Sequence, residues 1–408
     1  MLYDILSPLH KSNGSISIND PFQVARSFMI AEMEETVPKS PILELESDDI
    51  QFIYHIAFDI VAMVIVAFGI LSNLFNLIVL TRPTLKGVMY VYLIALAVSN
   101  LLALIISIPA VQRIANSFTL AQNSTYASLF YIAHLEIPIL NILITTSAYI
   151  IVCTTVYLFI AIYQPNCFRR FYTYKTAYLN VAISFLFGFI INAPFFGQKY
   201  IKEYCLDKNE TKPRQEHDGI HFPIFRTNLD EFEGCINKTY VISTNTEYVS
   251  SLQGYAYVSR FFLQFGPIAL ISILTICIVL RFNAIIKEIK ANAFKHQDGS
   301  DRENNESGMY TPEERRMVFL IISIAVTFLI CNLPAAILSI IYITDPDSFN
   351  KSHISIGYAI FRSISNNFEL LGLCLNLAIY CFCSSDIRKT CIKTFFGNFM
   401  FSRLCRFR

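Results

Sequence analysis

The chain has 408 residues, of which 54% are apolar and 15% charged, with a formal net charge of +1. Soluble proteins average about 25% charged residues, so this composition excludes an ordinary soluble domain. A balance so close to neutral also leaves no electrostatic footprint for nucleic acid.

Residues 1–52 read as a polar extracellular tail, acidic from Glu32 to Asp49, without the early apolar core of a signal peptide. Seven long apolar stretches follow, at about 56–80, 88–112, 128–163, 176–198, 261–280, 317–344 and 355–383. A helix rises ~1.5 Å per residue and a hydrocarbon core is ~30 Å thick, so ~20 apolar residues suffice to cross it. Six stretches meet that length with at most two charged or His residues inside, and the seventh is interrupted by Arg362 and Glu369. The expected fold is an all-α membrane protein, a seven-transmembrane helix bundle over residues 53–383. Its first span serves as the insertion signal.

Two signals orient it. The connections after spans one and three hold Arg82, Lys86, Arg169, Arg170 and Lys175 without an acid, whereas those after spans two and six hold Arg113 and Lys351 as their only Lys or Arg. The positive-inside rule then places the N-terminus outside. The glycosylation acceptors Asn13, Asn123, Asn209, Asn237 and Asn350 fall in the tail and all three outer loops, and Asn305 alone falls inside.

Of eleven cysteines, Cys205 and Cys235 alone lie on the outer side, both in the loop between spans four and five. They allow one disulfide, which would add about 3–4 kcal/mol by the chain-entropy model. The alternative is two free thiols.

On the inner side, span five reads as extending helically from Ala284 to Lys295, followed by a polar linker from His296 to Gly308 with Ser300, Ser307 and Thr311 as phosphorylation candidates. Residues 384–408 read as a cytoplasmic amphipathic helix and short tail. There Ile387, Cys391, Phe395 and Phe399 recur every fourth residue, with Arg388, Lys389 and Lys393 on another face. Such a helix lies on the inner membrane surface with its cations near anionic lipid. Cys391 and Cys405 are palmitoylation candidates, although a juxtamembrane cysteine is as often unmodified.

Five motifs follow in order. They are Ser72-Asn73 with Asn76 in span one, Leu96-Ala97-Val98-Ser99-Asn100-Leu101 in span two and Pro267 in span five. Phe328-Leu329-Ile330-Cys331-Asn332-Leu333-Pro334 in span six and Asn376-Leu377-Ala378-Ile379-Tyr380 in span seven complete them. Together they resemble the rhodopsin-like (class A) G-protein-coupled receptors. Leu80-Thr81-Arg82-Pro83, Ala133-His134-Leu135-Glu136-Ile137-Pro138 and Ile330 to Pro334 look most like the FMRFamide-type neuropeptide receptors. The resemblance implies a non-enzymatic plasma-membrane receptor with an extracellular peptide ligand and a heterotrimeric G protein as partners. It implies no cofactor and no metal.

Polar groups in a bilayer must find partners, so Asn73, Asn100, Ser147, Asn376 and Tyr380 are expected to form an inner polar network, with helix packing as its main role. In span seven Arg362, Asn366, Glu369, Asn376 and Tyr380 follow three- and four-residue steps, and that stripe must face the interior. Intramembrane ionisable groups are functional candidates. His134, Glu136, Arg260, Arg362 and Glu369 all lie in the outer halves of their spans, where an extracellular ligand enters. An amidated Arg-Phe peptide would offer a cation to Glu136 or Glu369 and an aromatic ring to Phe and Tyr side chains. The alternative is that Arg362, Glu369 and Glu136 satisfy one another. Leu140 aligns with the Asp of amine receptors, which argues against a monoamine. In span six, Phe328, Asn332 and Pro334 are the expected switch, with the helix repacking about the proline.

The departures from the family bear on output. Its Asp-Arg-Tyr aligns with Tyr157-Leu158-Phe159, so these G-protein-facing residues lack the docking arginine, and Glu314 at the base of span six lacks that partner. Asn100 stands for the span-two carboxylate, which removes the charged ligand of a sodium ion. Asn332 stands for the span-six tryptophan in a chain with no Trp, and span three has no outer cysteine. A receptor-fold binding or decoy protein with little coupling is therefore the rival reading. A transporter would need an inverted repeat, and an enzyme a motif such as His-Glu-x-x-His or Gly-x-Ser-x-Gly, and the sequence offers neither.

Overall fold

The computed structural model describes residues 49–115, 125–171, 173–205, 238–244, 253–295, 312–344 and 356–395. Six continuous helices are long and apolar enough to cross a membrane: α1 (Asp49–Leu80), α2 (Val88–Gln112), α3 (Tyr126–Tyr163), α4 (Tyr174–Gly197), α5 (Val258–Glu288) and α6 (Arg315–Ile341). The seventh, α7, is a bent pair, Ile356–Cys374 and Asn376–Cys383, with 47° between its halves. A short helix α8 (Ser385–Phe395) follows on the inner side. The protein is a seven-transmembrane helical bundle.

The bundle is apolar outside and partly polar inside, as lipid solvent requires. On α1, Ile60, Val64, Phe68, Leu71, Phe75 and Ile78 point outward at helical spacing, while Ser72, Asn73 and Asn76 are buried. The third helix is the axis of the bundle: 72% of the most apolar window of α3 is buried against 22% for α4. Helices pack closely where glycine permits. A Cβ on Gly69 of α1 would collide with Cys374 Sγ of α7 and come within 2.8 Å of Leu104 Cδ1 of α2. A Cβ on Gly188 of α4 would lie 2.9 Å from Thr146 Oγ1 and 3.0 Å from the Ile142 carbonyl of α3.

Side chains cap helix starts. Thr125 Oγ1 accepts from Ser128 N at 3.3 Å before α3, and Thr173 Oγ1 accepts from Thr176 N at 3.2 Å before α4. Outside the bundle, β1 (Lys199–Cys205) pairs antiparallel with β2 (Lys238–Thr244), Cys205 opposite Lys238. This hairpin packs on the outer end of α3. Cys235 and the acceptors Asn13, Asn123, Asn209, Asn237 and Asn350 lie outside the described residues, as does Cys405.

Three π-helical segments mark the outer ends: His55–Ala62 in α1, Tyr131–Glu136 in α3 and Phe261–Phe265 in α5. Those in α3 and α5 have a visible cause, because Pro138 and Pro267 each follow two residues after the segment's end. Proline has no N–H, and its ring clashes with the carbonyl four residues back, here His134 and Leu263, so the preceding turn widens.

Candidate functional site

A π turn takes one extra residue and so rotates the chain beyond it by about 100° relative to a regular helix. In α3 this places Glu136, the last π residue, at 1% exposure inside the bundle. In α5, Arg260 immediately precedes the π segment and is 6% exposed. The widened turn leaves carbonyls to be satisfied, and Phe262 O accepts from Tyr149 Oη of α3 at 2.8 Å. From α7, Arg362 and Glu369 are 9% and 7% exposed, and Asn366 between them is also buried. The stripe read from the sequence does face inward.

The structure thus brings two carboxylates and two guanidinium groups into the outer half of one bundle, a formally neutral set. A charge at the bilayer centre costs about 3 kcal/mol, so side chains this deep hold partners. Each of Glu136, Arg260, Arg362 and Glu369 engages another group of the protein. His134 differs from the other four. It is half-buried, its Nδ1 is 3.2 Å from the Phe196 carbonyl at the end of α4, and its ring lies 4.9 Å from that of Phe130. That contact ties the outer end of α3 to the base of the second outer loop, where a disulfide from α3 has no cysteine to form it. Below this tier, Ser339 Oγ of α6 donates to Gln264 Oε1 in the π segment of α5 at 2.5 Å.

Deeper, an internal cavity of about 30 Å³ joins the outer and inner sets. Its walls include Glu369 of α7, Asn100 and Ser147 of the expected inner network, Asn376 beyond the bend, and Phe328 and Asn332 of α6. A volume of about 10–15 Å³ accommodates one water, so this space suits a water or two, not a large ligand group. Asn332 Nδ2 donates to the Phe328 carbonyl at 2.8 Å, one turn before Pro334.

Asn73, Asn100 and Ser147 converge on the backbone of α7, whereas Tyr380 Oη is buried without a hydrogen-bond partner among the described residues. Ser147 Oγ donates to Asn100 Oδ1 at 2.7 Å, and Asn100 Nδ2 reaches the Leu373 carbonyl at 3.4 Å. Asn73 Nδ2 donates to the same carbonyl at 3.0 Å, and Ser72 Oγ to the next, Cys374 O, at 2.8 Å. These are the last two carbonyls before the bend in α7. The bend has no proline; it is held by side chains of α1 and α2. Asn376 and Tyr380 lie just past it, both buried. The role of Ser72 was missed, although its place beside Asn73 in an apolar span was the available signal.

At the inner end, Tyr157 and Leu158 are buried, each at 6% exposure, in an apolar cluster with Ile162, Ile278, Phe282 and Ile321. The Tyr157 ring contacts Tyr92 at 5.8 Å and Phe168 at 5.1 Å between centroids. Phe159 is half-buried, and the side chain of Glu314 is outside the described residues. On α8, Ile387 and Cys391 pack against the bundle, while Arg388, Lys389 and Lys393 are exposed. Among the described residues no group of three His, Cys, Asp or Glu is placed to hold a metal.

Seven spans, an inward-facing charged tier and a polar network pinning a bent seventh helix are receptor architecture. The family model described as serpentine type 7TM GPCR chemoreceptor Srw matches residues 60–398. The chain belongs to the Srw family. Two Caenorhabditis elegans proteins are similar to this Srw member. The probable G-protein coupled receptor AH9.1 is 25% identical over 372 residues, covering 86% of this chain and 78% of that protein. The probable G-protein coupled receptor B0563.6 is 26% identical over 355 residues, covering 84% and 72%. This Srw protein is a multi-pass plasma-membrane receptor of the G-protein-coupled type.

Proposed function

We propose that this Srw receptor answers an extracellular amidated neuropeptide, with Glu136 as the principal anchor for a ligand cation. The observation that carries the reading is the buried Glu136 at the end of a π segment, in the same outer tier as Arg260, Arg362 and Glu369. A neutral, internally engaged set of this kind favours a ligand that carries its own charge and substitutes for an internal partner. Aromatic groups are at hand for a Phe ring, since Phe130 stands on the outer end of α3 beside His134. The FMRFamide-type resemblance around Ala133–Pro138 supports the same ligand class.

The test is a screen of amidated peptides on cells expressing the chain, followed by Glu136→Gln. Loss of a desolvated charge pair should weaken activation about tenfold or more, roughly 1.4 kcal/mol, with surface expression unchanged. Unchanged potency removes Glu136 from the site.

One observation favours a second reading, a receptor that binds with weak coupling. Leu158 stands where the rhodopsin-like receptors that the sequence resembles keep the docking arginine, and it is buried among apolar side chains. Peptide binding with silence from several G-protein reporters would select that reading.

A further inference from the structure

The inner end of α3, from Thr154 to Tyr163, carries no charged side chain, so it offers no ion pair to α6. The helix of α6 begins Pro312-Glu313-Glu314-Arg315-Arg316, and Arg316 is met from α8. Arg316 Nη1 donates to Ser385 Oγ and lies 3.9 Å from Asp386 Oδ1, both in the first turn of α8. Two turns deeper, Cys383 Sγ donates to Ser323 Oγ at 3.3 Å, again from the end of α7 to α6. The acceptor end is fixed in place. Ser384 Oγ accepts from Ile387 N at 3.4 Å, Ile387 is anchored in the inner apolar cluster, and an acid in the first turn is favoured by the helix dipole. Asp386 is also the sole acidic residue from Asn376 to Arg408.

We propose that the inner end of α6 is held shut by a polar clasp on α8, Arg316 with Ser385 and Asp386, and that its release accompanies opening of the inner cleft. This role for the clasp rests on the receptor reading of the same bundle. The pair is 43% exposed on each side, so it acts as a trim on the equilibrium, not as its main determinant. Apolar burial of Leu158, Ile278, Phe282 and Ile321 supplies the bulk of closure.

The test reads the position of α6 directly. Spin labels are placed at Arg315 on α6 and Lys175 on α4 through unnatural amino acids, leaving the native cysteines alone, and distances are measured in nanodiscs. Arg316→Ala, Asp386→Asn and Ser385→Ala should each raise the long-distance population, Arg316→Ala and Asp386→Asn by about two- to five-fold. The Arg316→Ala, Asp386→Asn double variant should add little to either single one, because both remove the same contact. Distributions that superimpose on the parent in properly folded protein would overturn the clasp. Because no G protein enters the measurement, a chain that never couples would still show the shift, so failure of the receptor reading is seen separately.

Discussion

Truncating Asn73 tests whether the bend in α7 is held from outside. Asn73 Nδ2 donates to Leu373 O at 3.0 Å and to its own helix at Gly69 O at 2.9 Å. In Asn73→Ala, Leu373 O keeps only the long 3.4 Å approach of Asn100 Nδ2 from outside α7. Interhelical hydrogen bonds in membranes contribute about 0.6 kcal/mol on average and up to about 1.7. A buried acceptor left short of a donor costs about 1–3 kcal/mol. These figures measure the same change and do not add, so the expected loss is about 1–2 kcal/mol, or a midpoint lowered by about 2–8 °C at roughly 2–4 °C per kcal/mol. The assay is thermal unfolding of purified receptor in nanodiscs at one fixed scan rate, since such transitions are often irreversible. Ser72→Ala removes a single bond, to Cys374 O, and should fall between the parent and Asn73→Ala. A midpoint for Asn73→Ala equal to the parent would refute the view that α1 holds the break.

Two further predictions concern packing. Gly69→Val sets branched carbons against Cys374 and Leu104, and Gly188→Ala presses on the Ile142 carbonyl, which as backbone cannot step aside. Each should cost about 1–3 kcal/mol, read as a lowered midpoint and lowered surface expression. Parental values would mean that the helices separate freely at these crossings. Leu158→Arg places a guanidinium in an apolar cluster, so it should lower the midpoint by several degrees even if a G-protein signal rises. A signal gained with the midpoint intact would show that the site already admits water.

Span positions were legible because the lipid solvent demands long apolar runs, and 88–112 matches the observed α2. The start of α1 was not, since Asp49 to Phe52 were read as the end of the tail yet are helical. The inward stripe of α7 was legible from three- and four-residue steps. Its bend was not, because the local sequence Leu373-Cys374-Leu375-Asn376 has no proline, and the cause lies in Ser72 and Asn73 some 300 residues earlier. The π segments had a readable signal in Pro138 and Pro267, but proline alone does not tell a kink from a widened turn. Leu158 read from sequence as a missing docking group; its burial became visible only with the helices assembled.

The apolar inner end of α3 makes physical sense once the inner polar contacts are followed. In a bundle closed by an ion pair between α3 and α6, an apolar residue at position 158 would leave a buried charge unpaired. Here the described inner polar contacts of α6 run instead to α7 and α8, through Ser323–Cys383 and Arg316–Ser385–Asp386. The inner end of α3 has only to fill space, which Tyr157, Leu158 and Ile162 do. The same α7 meets the outer tier through Arg362 and Glu369, and Glu369 shares a cavity with Phe328 and Asn332 of α6. Its backbone is pinned at the bend by α1 and α2. The polar contacts of α7 thus reach α1 and α2 at the bend and α6 toward its inner end.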